Sequence, residues 1–213
     1  AVDGDVITAG AGARFKKVAN VAVANRLTGV EWMEGIPGNV GGGLRMNAGA
    51  MGTETFDQVI SVTFLDEDGE IRERTREEIT AHYRNVPELR RNYALEAKFQ
   101  AKHSDSDTIS NLTEASRHHR RSTQPIAASA GCIFKNPDEV PAGMLVEQLG
   151  MKEASVGNAQ VSTEHGNFIV NRGKAKATDV LGLIDEIRRK AEKERGIDMD
   201  TEVQIIGEDE FTF

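Results

Sequence analysis

The sequence predicts an α+β fold made of two parts. Segments with helical and with strand periodicity follow one another without the regular strand–helix–strand alternation of a parallel α/β sheet. The 213 residues correspond to about 1.4 domains of ordinary size, and therefore to one large domain or two small ones. The polar stretch 102–123 fits a mostly exposed helix that would join the two parts.

The first elements follow from the spacing of apolar residues. Residues 6–8 predict a short strand that leads into a glycine turn, and helical spacing from Phe15 predicts a helix that stops at Gly29. The glycine-rich run 35–43 is expected to form no regular element. The apolar face of the helix would comprise Phe15, Val18, Ala19, Ala22 and Val23.

Strand signals dominate the rest of the first part. Residues 59–65 are rich in β-branched side chains, 66–69 suit a turn, and 70–74 return, so a hairpin is predicted. A short helix at 76–83 and an alternating strand at 93–99 are predicted to follow.

The second part is built around one long helix. It is predicted to begin with Thr178 as N-cap and to end at Gly196. Its buried face would comprise Val180, Leu183, Ile184, Ile187 and Ala191. The other predicted elements are strands at 168–170 and 202–206 and a helix at 142–149.

Composition excludes several classes of function. The net charge is −8, from 34 acidic and 26 basic residues, which argues against a general nucleic-acid binder. The single cysteine excludes an intramolecular disulfide framework and any multi-cysteine metal site. No apolar run approaches the roughly 18 residues that span a bilayer. A soluble, cytoplasmic protein is therefore expected.

Two glycine-rich segments are candidate ligand surfaces. Gly10-x-Gly12 lies between a strand and a helix, but Phe15 replaces the third glycine of a dinucleotide fingerprint, which favours a plain turn. The run 35–43 presents backbone N–H groups and no side chain that blocks a phosphate or a flat ring. Small residues follow at 47–52. We interpret these stretches as a ligand surface, and a long tight turn is the alternative.

Few single residues carry a chemical signal by themselves. Cys132 precedes a polar turn, so its thiol is either a proton donor or a small buried hydrophobic group. Arg84 and Glu202, taken alone, suit surface charges. His118 and His119 would point about 100° apart on a helix, so no metal site is predicted.

A set of motifs, taken in order, resembles one protein family. Residues 31–42 read EWMEGIPGNVGG and 46–50 read MNAGA, followed by Tyr83-Arg84. Residues 129–137 then read SAGCIFKNP, and the closing segments are AGMLVE at 142–147, GNFIVN at 166–171 and EV at 202–203. Together they resemble the UDP-N-acetylenolpyruvoylglucosamine reductases, in the shorter subclass of that family.

The resemblance implies part of a flavin-binding domain of the vanillyl-alcohol-oxidase (PCMH) type and a C-terminal α+β substrate domain. It implies an oxidoreductase that uses FAD and NADPH to reduce the enolpyruvyl ether of a UDP-sugar to UDP-N-acetylmuramate in peptidoglycan synthesis. The implied boundaries are 1–103 for the second half of the FAD-binding domain, 104–123 for a linker, 124–198 for the substrate domain, and 199–213 for a closing strand that returns to the flavin site.

The resemblance also assigns site residues. Arg84 would stabilise the developing enolate beside the flavin, Cys132 would donate a proton to C2, and Glu202 would polarise the substrate carboxylate or share the proton. The substrate-binding residues would be Tyr83, Lys135 and Asn136, the last at the UDP-sugar phosphates. The flavin would contact Gly35, Ile36, Pro37, Gly38, Val40, Gly41, Gly42, Asn47, Ala48, Gly49 and Arg84.

The sequence departs from the family pattern at several positions. Cys132 replaces the serine of most members, and a thiol is the stronger acid, so proton donation is expected to survive. Val86 stands where a serine usually follows the Tyr-Arg motif, and Met51 stands in place of a frequent aromatic residue.

The family's N-terminal segment, whose Gly-Ser-Asn loop binds the FAD pyrophosphate, has no counterpart before Ala1. That segment, or a fused upstream domain, would then be a partner of this chain. Two other interpretations stay open: a truncated UDP-sugar-binding module without flavin or activity, and a flavin oxidoreductase that acts on a different substrate.

Overall fold

The computed structural model describes residues 1–207 and divides into two compact units, Ala1–Arg120 and a second that begins at Arg121. Both units combine helices with antiparallel strands, so the predicted α+β class is confirmed. The predicted helix in the polar stretch is also confirmed, as α4, Ser106–Thr123, which runs across the division.

The first unit contains nine strands and three helices before α4. Its strands are β1 (Val2–Asp3), β2 (Val6–Gly10), β3 (Leu27–Thr28), β4 (Gly49–Ala50), β5 (Thr53–Glu54), β6 (Val59–Leu65), β7 (Ile71–Thr75), β8 (Tyr93–Gln100) and β9 (Lys102–His103). Its helices are α1 (Phe15–Ala24), α2 (Val40–Met46) and α3 (Glu88–Arg91). Short 3-10 turns lie at Glu31–Gly35, Thr55–Asp57 and Arg76–Glu78.

An antiparallel sheet in the order β1-β2-β8-β6-β7 supports the core of this unit. The predicted hairpin is confirmed as β6 and β7, with Leu65 opposite Ile71. Helix α1 buries Phe15, Val18, Ala19 and Ala22 as predicted, whereas Val23 is 38% exposed, so its assignment to the buried face was wrong. Burial of these apolar side chains stabilises the packing of α1 in the core.

Three local predictions in this unit were wrong. Helix α1 ends at Ala24 and not at Gly29, because Arg26 adopts a left-handed φ of 55° and the next residues, Leu27–Thr28, pair with β9 as a strand. The run 35–43 is partly helical, since α2 begins at Val40. Residues 76–83 form only one 3-10 turn, closed by a capping box between Thr75 and Glu78.

The second unit contains a four-stranded antiparallel sheet in the order β10-β13-β12-β11, with helices α5 and α6. The strands are β10 (Ser129–Cys132), β11 (Ser155–Val156), β12 (Ala159–Val161) and β13 (Phe168–Asn171). The helices are α5 (Ala142–Gln148) and α6 (Ala177–Arg195). The hydrophobic core of this unit draws on α5, on strands of the sheet and on four of the five predicted positions of α6, namely Leu183, Ile184, Ile187 and Ala191.

The ends of this unit's elements differ from the predictions in two ways. Gly196 ends α6 with φ 65°, as predicted, but the N-cap is Lys176 and not Thr178. The strand predicted at 202–206 is absent from the described residues. The N–H groups of Glu202 and Val203 both donate to one carbonyl, that of Ile133, so no strand ladder continues.

Within residues 1–207, none of the helices combines the length and apolar composition needed to cross a bilayer. Residues 208–213, the last part of the predicted closing segment, lie outside the described residues.

Candidate active site

The glycine-rich segment is fastened to the turn between β2 and α1. The N–H groups of Val40 and Gly41 donate to the carbonyls of Ala13 and Ala11 at 2.8 and 2.9 Å, and the Phe15 N–H donates to the Gly38 carbonyl at 3.2 Å. The first amides of α2 are therefore bound by the protein itself. The turn that contains Gly10 and Gly12 therefore binds the glycine-rich segment through backbone hydrogen bonds.

The glycines of this segment serve different purposes. Gly38 has φ 118°, a conformation that favours glycine. A Cβ on Gly43 would lie 2.0 Å from the Phe15 ring, and one on Gly41 would lie 3.0 Å from the Ala11 Cβ. A Cβ on Gly42 would meet no heavy atom of the described residues within 4 Å. Packing therefore requires glycine at Gly43 and leaves little room at Gly41, whereas Gly42 leaves a surface that a ligand could contact.

Two clefts border the segment. The larger, of about 530 Å³, is lined by Arg14, Lys16, Glu34, Gly35, Ile36, Pro37, Gly38, Asn39 and Arg120. The smaller, of about 350 Å³, is lined by Gly41, Gly42, Arg45, Leu89, Arg90, Arg91, Asn92, Tyr93 and Ala94. Most of the predicted flavin-contacting glycines therefore line open space. Among the other predicted flavin contacts, Val40 and Asn47 have buried side chains, and Ala48, Gly49 and Arg84 line neither of these clefts.

A buried carboxylate beside the larger cleft is a feature that sequence reasoning missed. The Glu34 side chain is only 2% exposed, and its Oε1 accepts from the Lys16 ammonium at 3.0 Å and the Arg117 guanidinium at 3.2 Å. Two cations compensate the charge of this carboxylate, as burial of an ion requires. The partners lie 18 residues before and 83 residues after Glu34, so no local pattern predicts the cluster.

Asn47 ends α2 in the left-handed conformation, with φ 42°, and is buried. Its Nδ2 donates to Glu54 Oε2 at 2.7 Å and to the His82 carbonyl at 3.2 Å, and its Oδ1 accepts from the Phe56 N–H at 3.1 Å. The next carbonyl, that of Ala48, accepts from both the N–H and the hydroxyl of Thr55. Asn47 is therefore a structural junction as well as a predicted flavin contact.

Arg84 lies at the tip of a tight turn that His82 and Asn85 close through two backbone hydrogen bonds. Its φ is 53°, and its guanidinium lies 4.6 Å from the centre of the Tyr83 ring. Arg84 Nη1 donates to the Asn47 carbonyl at 3.3 Å and lies 3.7 Å from Glu54 Oε1. The structure thus brings together two predicted site residues that are 37 positions apart in the sequence.

In the second unit, the backbone of Glu202 bonds to the residue that follows Cys132. Cys132 ends β10 at an irregularity in its pairing with β13, directly after Gly131 with φ 85°. The Glu202 N–H donates to the carbonyl of Ile133, the residue after Cys132, at 2.7 Å. Both side chains are of intermediate exposure. The fold therefore brings the backbone next to Cys132 into hydrogen-bond contact with that of Glu202, 70 positions after Cys132.

The other predicted substrate contacts in this unit have partners of their own. Lys135 Nζ lies 3.3 Å from Asp200 Oδ2, and Asn136 Oδ1 accepts from the Ala142 N–H at 3.0 Å, which caps the start of α5. Both contacts hold the turn after Cys132 in a defined conformation. Among residues 1–207, no group of three or more His, Cys, Asp or Glu side chains could hold a metal ion.

Comparisons with known proteins agree across the chain. Residues 123–206 match the family model for the C-terminal domain of UDP-N-acetylenolpyruvoylglucosamine reductase, and residues 1–75 match that of an FAD binding domain. The reductase of Bacillus subtilis strain 168 is 39% identical over 209 residues, which cover 97% of this chain and 69% of the relative. The reductase of Clostridium novyi strain NT is 37% identical over 209 residues, which cover 97% of this chain and 68% of that relative. The chain belongs to the UDP-N-acetylenolpyruvoylglucosamine reductase family.

A solved structure supports the same assignment. The crystal structure of the reductase from Thermus caldophilus matches with a TM-score of 0.85 at 32% identity, and the match covers 96% of this chain and 73% of that one. The family resemblance predicted from the motifs is thereby confirmed, together with the fold class.

The described residues fit the flavin that this reductase family uses. A flat ring needs a surface without protruding side chains, and the open side of Gly42 is such a surface, because a Cβ there would occupy the space. Gly38, with φ 118°, also turns the backbone there without presenting a side chain. The individual contact residues stay predictions.

A buried amide near Cys132 has no role predicted from the sequence. Asn167 is 3% exposed, and its side chain pairs with both the N–H and the carbonyl of Phe134, at 2.9 and 2.8 Å. Its own carbonyl accepts from the Ile133 N–H at 2.9 Å. Asn167 therefore fixes the backbone next to Cys132. In the sequence, only the position of Asn167 within the GNFIVN motif marked it as a residue of interest, and that motif does not reveal that its partner is Phe134.

Proposed function

We propose that this chain carries out the NADPH-dependent reduction of the enolpyruvyl ether of UDP-N-acetylglucosamine to UDP-N-acetylmuramate, a step in peptidoglycan synthesis. One observation supports the proposal most directly. In the second unit, which matches the C-terminal domain of the reductases, the backbone N–H of Glu202 donates to the carbonyl of Ile133, the residue after Cys132. Protonation of a carbanion next to a carboxyl group requires an acid within reach, and the Cys132 thiol is the candidate for it.

The reaction sets clear demands on the protein. A flavin held at the surface around Gly42 would supply the hydride for C3 of the enolpyruvyl group, with NADPH as the reductant. Negative charge then develops at C2 and on the oxygens of the adjoining carboxylate. Fixed cations and hydrogen-bond donors lower the barrier by stabilising that charge, and C2 must receive a proton from an acid within hydrogen-bonding reach.

Each demand has a candidate residue. Arg84 supplies a permanent positive charge for the enolate oxygens, and its stack on Tyr83 and its bond to Asn47 restrict its side chain before substrate arrives. Cys132 supplies the proton for C2 from its thiol. Glu202 polarises the substrate carboxylate or shares the proton. Lys135 and Asn136 supply a cation and an amide for the UDP-sugar phosphates.

A visible spectrum of the purified protein tests the proposal. With FAD bound, the protein should be yellow, should lose its absorbance near 450 nm when NADPH is added without oxygen, and should regain it with the enolpyruvyl UDP-sugar. UDP-N-acetylglucosamine, which has no enolpyruvyl group, serves as the control and should leave the flavin reduced. A colourless protein that still binds the UDP-sugar would support the binding module instead. A yellow protein that the enolpyruvyl substrate does not reoxidise would contradict the proposed reaction.

A further inference from the structure

Glu54 connects two residues of the proposed site. Its Oε2 accepts from the Asn47 amide at 2.7 Å, and its Oε1 lies 3.7 Å from Arg84 Nη1. The same side chain accepts from the Asp57 N–H in a capping box, and the Glu54 N–H donates to Asp57 Oδ2 at 2.7 Å. The capping box therefore fixes the Glu54 carboxylate at the start of the 3-10 turn Thr55–Asp57, and its oxygens contact Asn47 and Arg84.

The three residues form a closed triangle. Arg84 Nη1 also donates to the Asn47 backbone carbonyl at 3.3 Å, so each of the three contacts the other two. The Arg84 side chain is 17% exposed and the Glu54 side chain 34%, so solvent only partly screens their attraction. A long arginine side chain has many rotamers, and the triangle selects one of them.

We propose that Glu54 is the positioning residue of the reductase site, which holds the Arg84 guanidinium and the Asn47 amide in one arrangement. This inference rests on the proposed function, in which Arg84 stabilises the enolate and Asn47 contacts the flavin. Glu54 acts through these two residues and touches neither the hydride nor the proton. The Arg84 contact should affect turnover, and the Asn47 contact should affect flavin affinity.

The test compares Glu54→Ala, Glu54→Gln and Glu54→Asp in the flavin-loaded protein. Glu54→Ala should lower kcat by about 10- to 100-fold, the loss typical of one charge-assisted contact, with little change in KM. It should also raise the flavin Kd, measured by flavin fluorescence without any substrate. Glu54→Gln should restore the flavin Kd, since its carbonyl can accept from Asn47, but not kcat. Glu54→Asp keeps the charge and should recover part of kcat.

A double-mutant cycle separates positioning from a general structural role. In an Arg84→Ala background, Glu54→Ala should cause little further loss of kcat, because the residue it positions is gone. Glu73→Ala is the matched control, since Glu73 pairs with Lys98 on the exposed sheet and should leave both kcat and flavin Kd unchanged. Thermal melting of each variant shows whether the fold is intact.

The outcomes distinguish the two proposals. A wild-type protein that binds flavin but does not turn over the enolpyruvyl substrate overturns the proposed function and this inference with it. An active wild type with an equally active Glu54→Ala variant overturns the inference alone. Full additivity of Glu54→Ala with Arg84→Ala does so as well, because it would show that Glu54 does not act through Arg84.

Discussion

Neighbouring glycines of α2 should respond in opposite ways to the same substitution. In Gly43→Ala, the new methyl group would lie 2.0 and 2.1 Å from two atoms of the Phe15 ring. That ring is 1% exposed and packs at 6.0 Å against Trp32, so it has little room to move away. In Gly42→Ala, no heavy atom of the described residues lies within 4 Å of the new methyl group.

The magnitudes follow from two competing effects. Overpacking of a buried site costs about 1–3 kcal/mol, and the short contact in Gly43→Ala suggests the upper part of that range. Replacing a helical glycine by alanine contributes about 0.5–1 kcal/mol in the other direction. We therefore expect Gly43→Ala to lose about 1–2 kcal/mol and Gly42→Ala to gain up to about 1 kcal/mol of unfolding free energy.

The chain offers a specific probe for this comparison. Trp32 is the single tryptophan and is buried in the first unit next to Phe15, so its fluorescence reports the unfolding of that unit. Urea titrations of both variants and the wild type should show shifted midpoints with unchanged slopes. Equal midpoints for Gly43→Ala and wild type, or a loss in Gly42→Ala as large as in Gly43→Ala, would refute the reasoning.

Gly42→Ala adds a test of function to the same experiment. If the flavin ring lies on the open side of this helix, the added methyl group should raise the flavin Kd although the protein is more stable. A separation of stability from flavin affinity in one variant is difficult to explain by partial unfolding. Unchanged flavin affinity would remove Gly42 from the predicted contacts.

Four other predictions concern turnover and stability. Cys132→Ser should retain much of the turnover and Cys132→Ala should lose most of it, and equal steady-state rates for wild type and Cys132→Ala would contradict proton donation. Glu202→Gln should lower kcat far more than it raises KM, whereas an effect on KM alone would assign Glu202 to binding. Asn167→Ala leaves two buried backbone groups without partners, so the second unit should lose about 2–3 kcal/mol in urea denaturation followed by circular dichroism. The hydrogen bond from Arg72 lowers the pKa of Asp66 in the folded protein. The ionised carboxylate therefore stabilises the fold at every pH above the ordinary aspartate pKa of about 3.9, and this stabilisation is lost as the pH falls through the lowered pKa. Asp66→Asn should therefore differ from wild type in urea midpoint at pH 6 more than at pH 3, and a difference independent of pH would show that the pair is not formed.

Periodicity predicted the elements whose burial follows one regular pattern. Helix α1 buries four of its five predicted positions, and β6 and β7 form the predicted hairpin. The errors occur where a distant contact changes the outcome. The run 35–43 appeared too rich in glycine for a helix, but α2 forms because Gly43 lets the helix approach Phe15, and side-chain spacing does not contain that information.

The sequence alone determined the family, because its motifs are local strings whose order and spacing are visible without a structure. It also pointed to Arg84, Cys132 and Glu202 through those motifs. Only the tertiary structure decided which residues support them. Glu54 meets Arg84 across 30 positions, and Asn167 meets Phe134 across 33. Such pairs depend on how turns and strands bring distant segments together, and neither periodicity nor composition records that geometry.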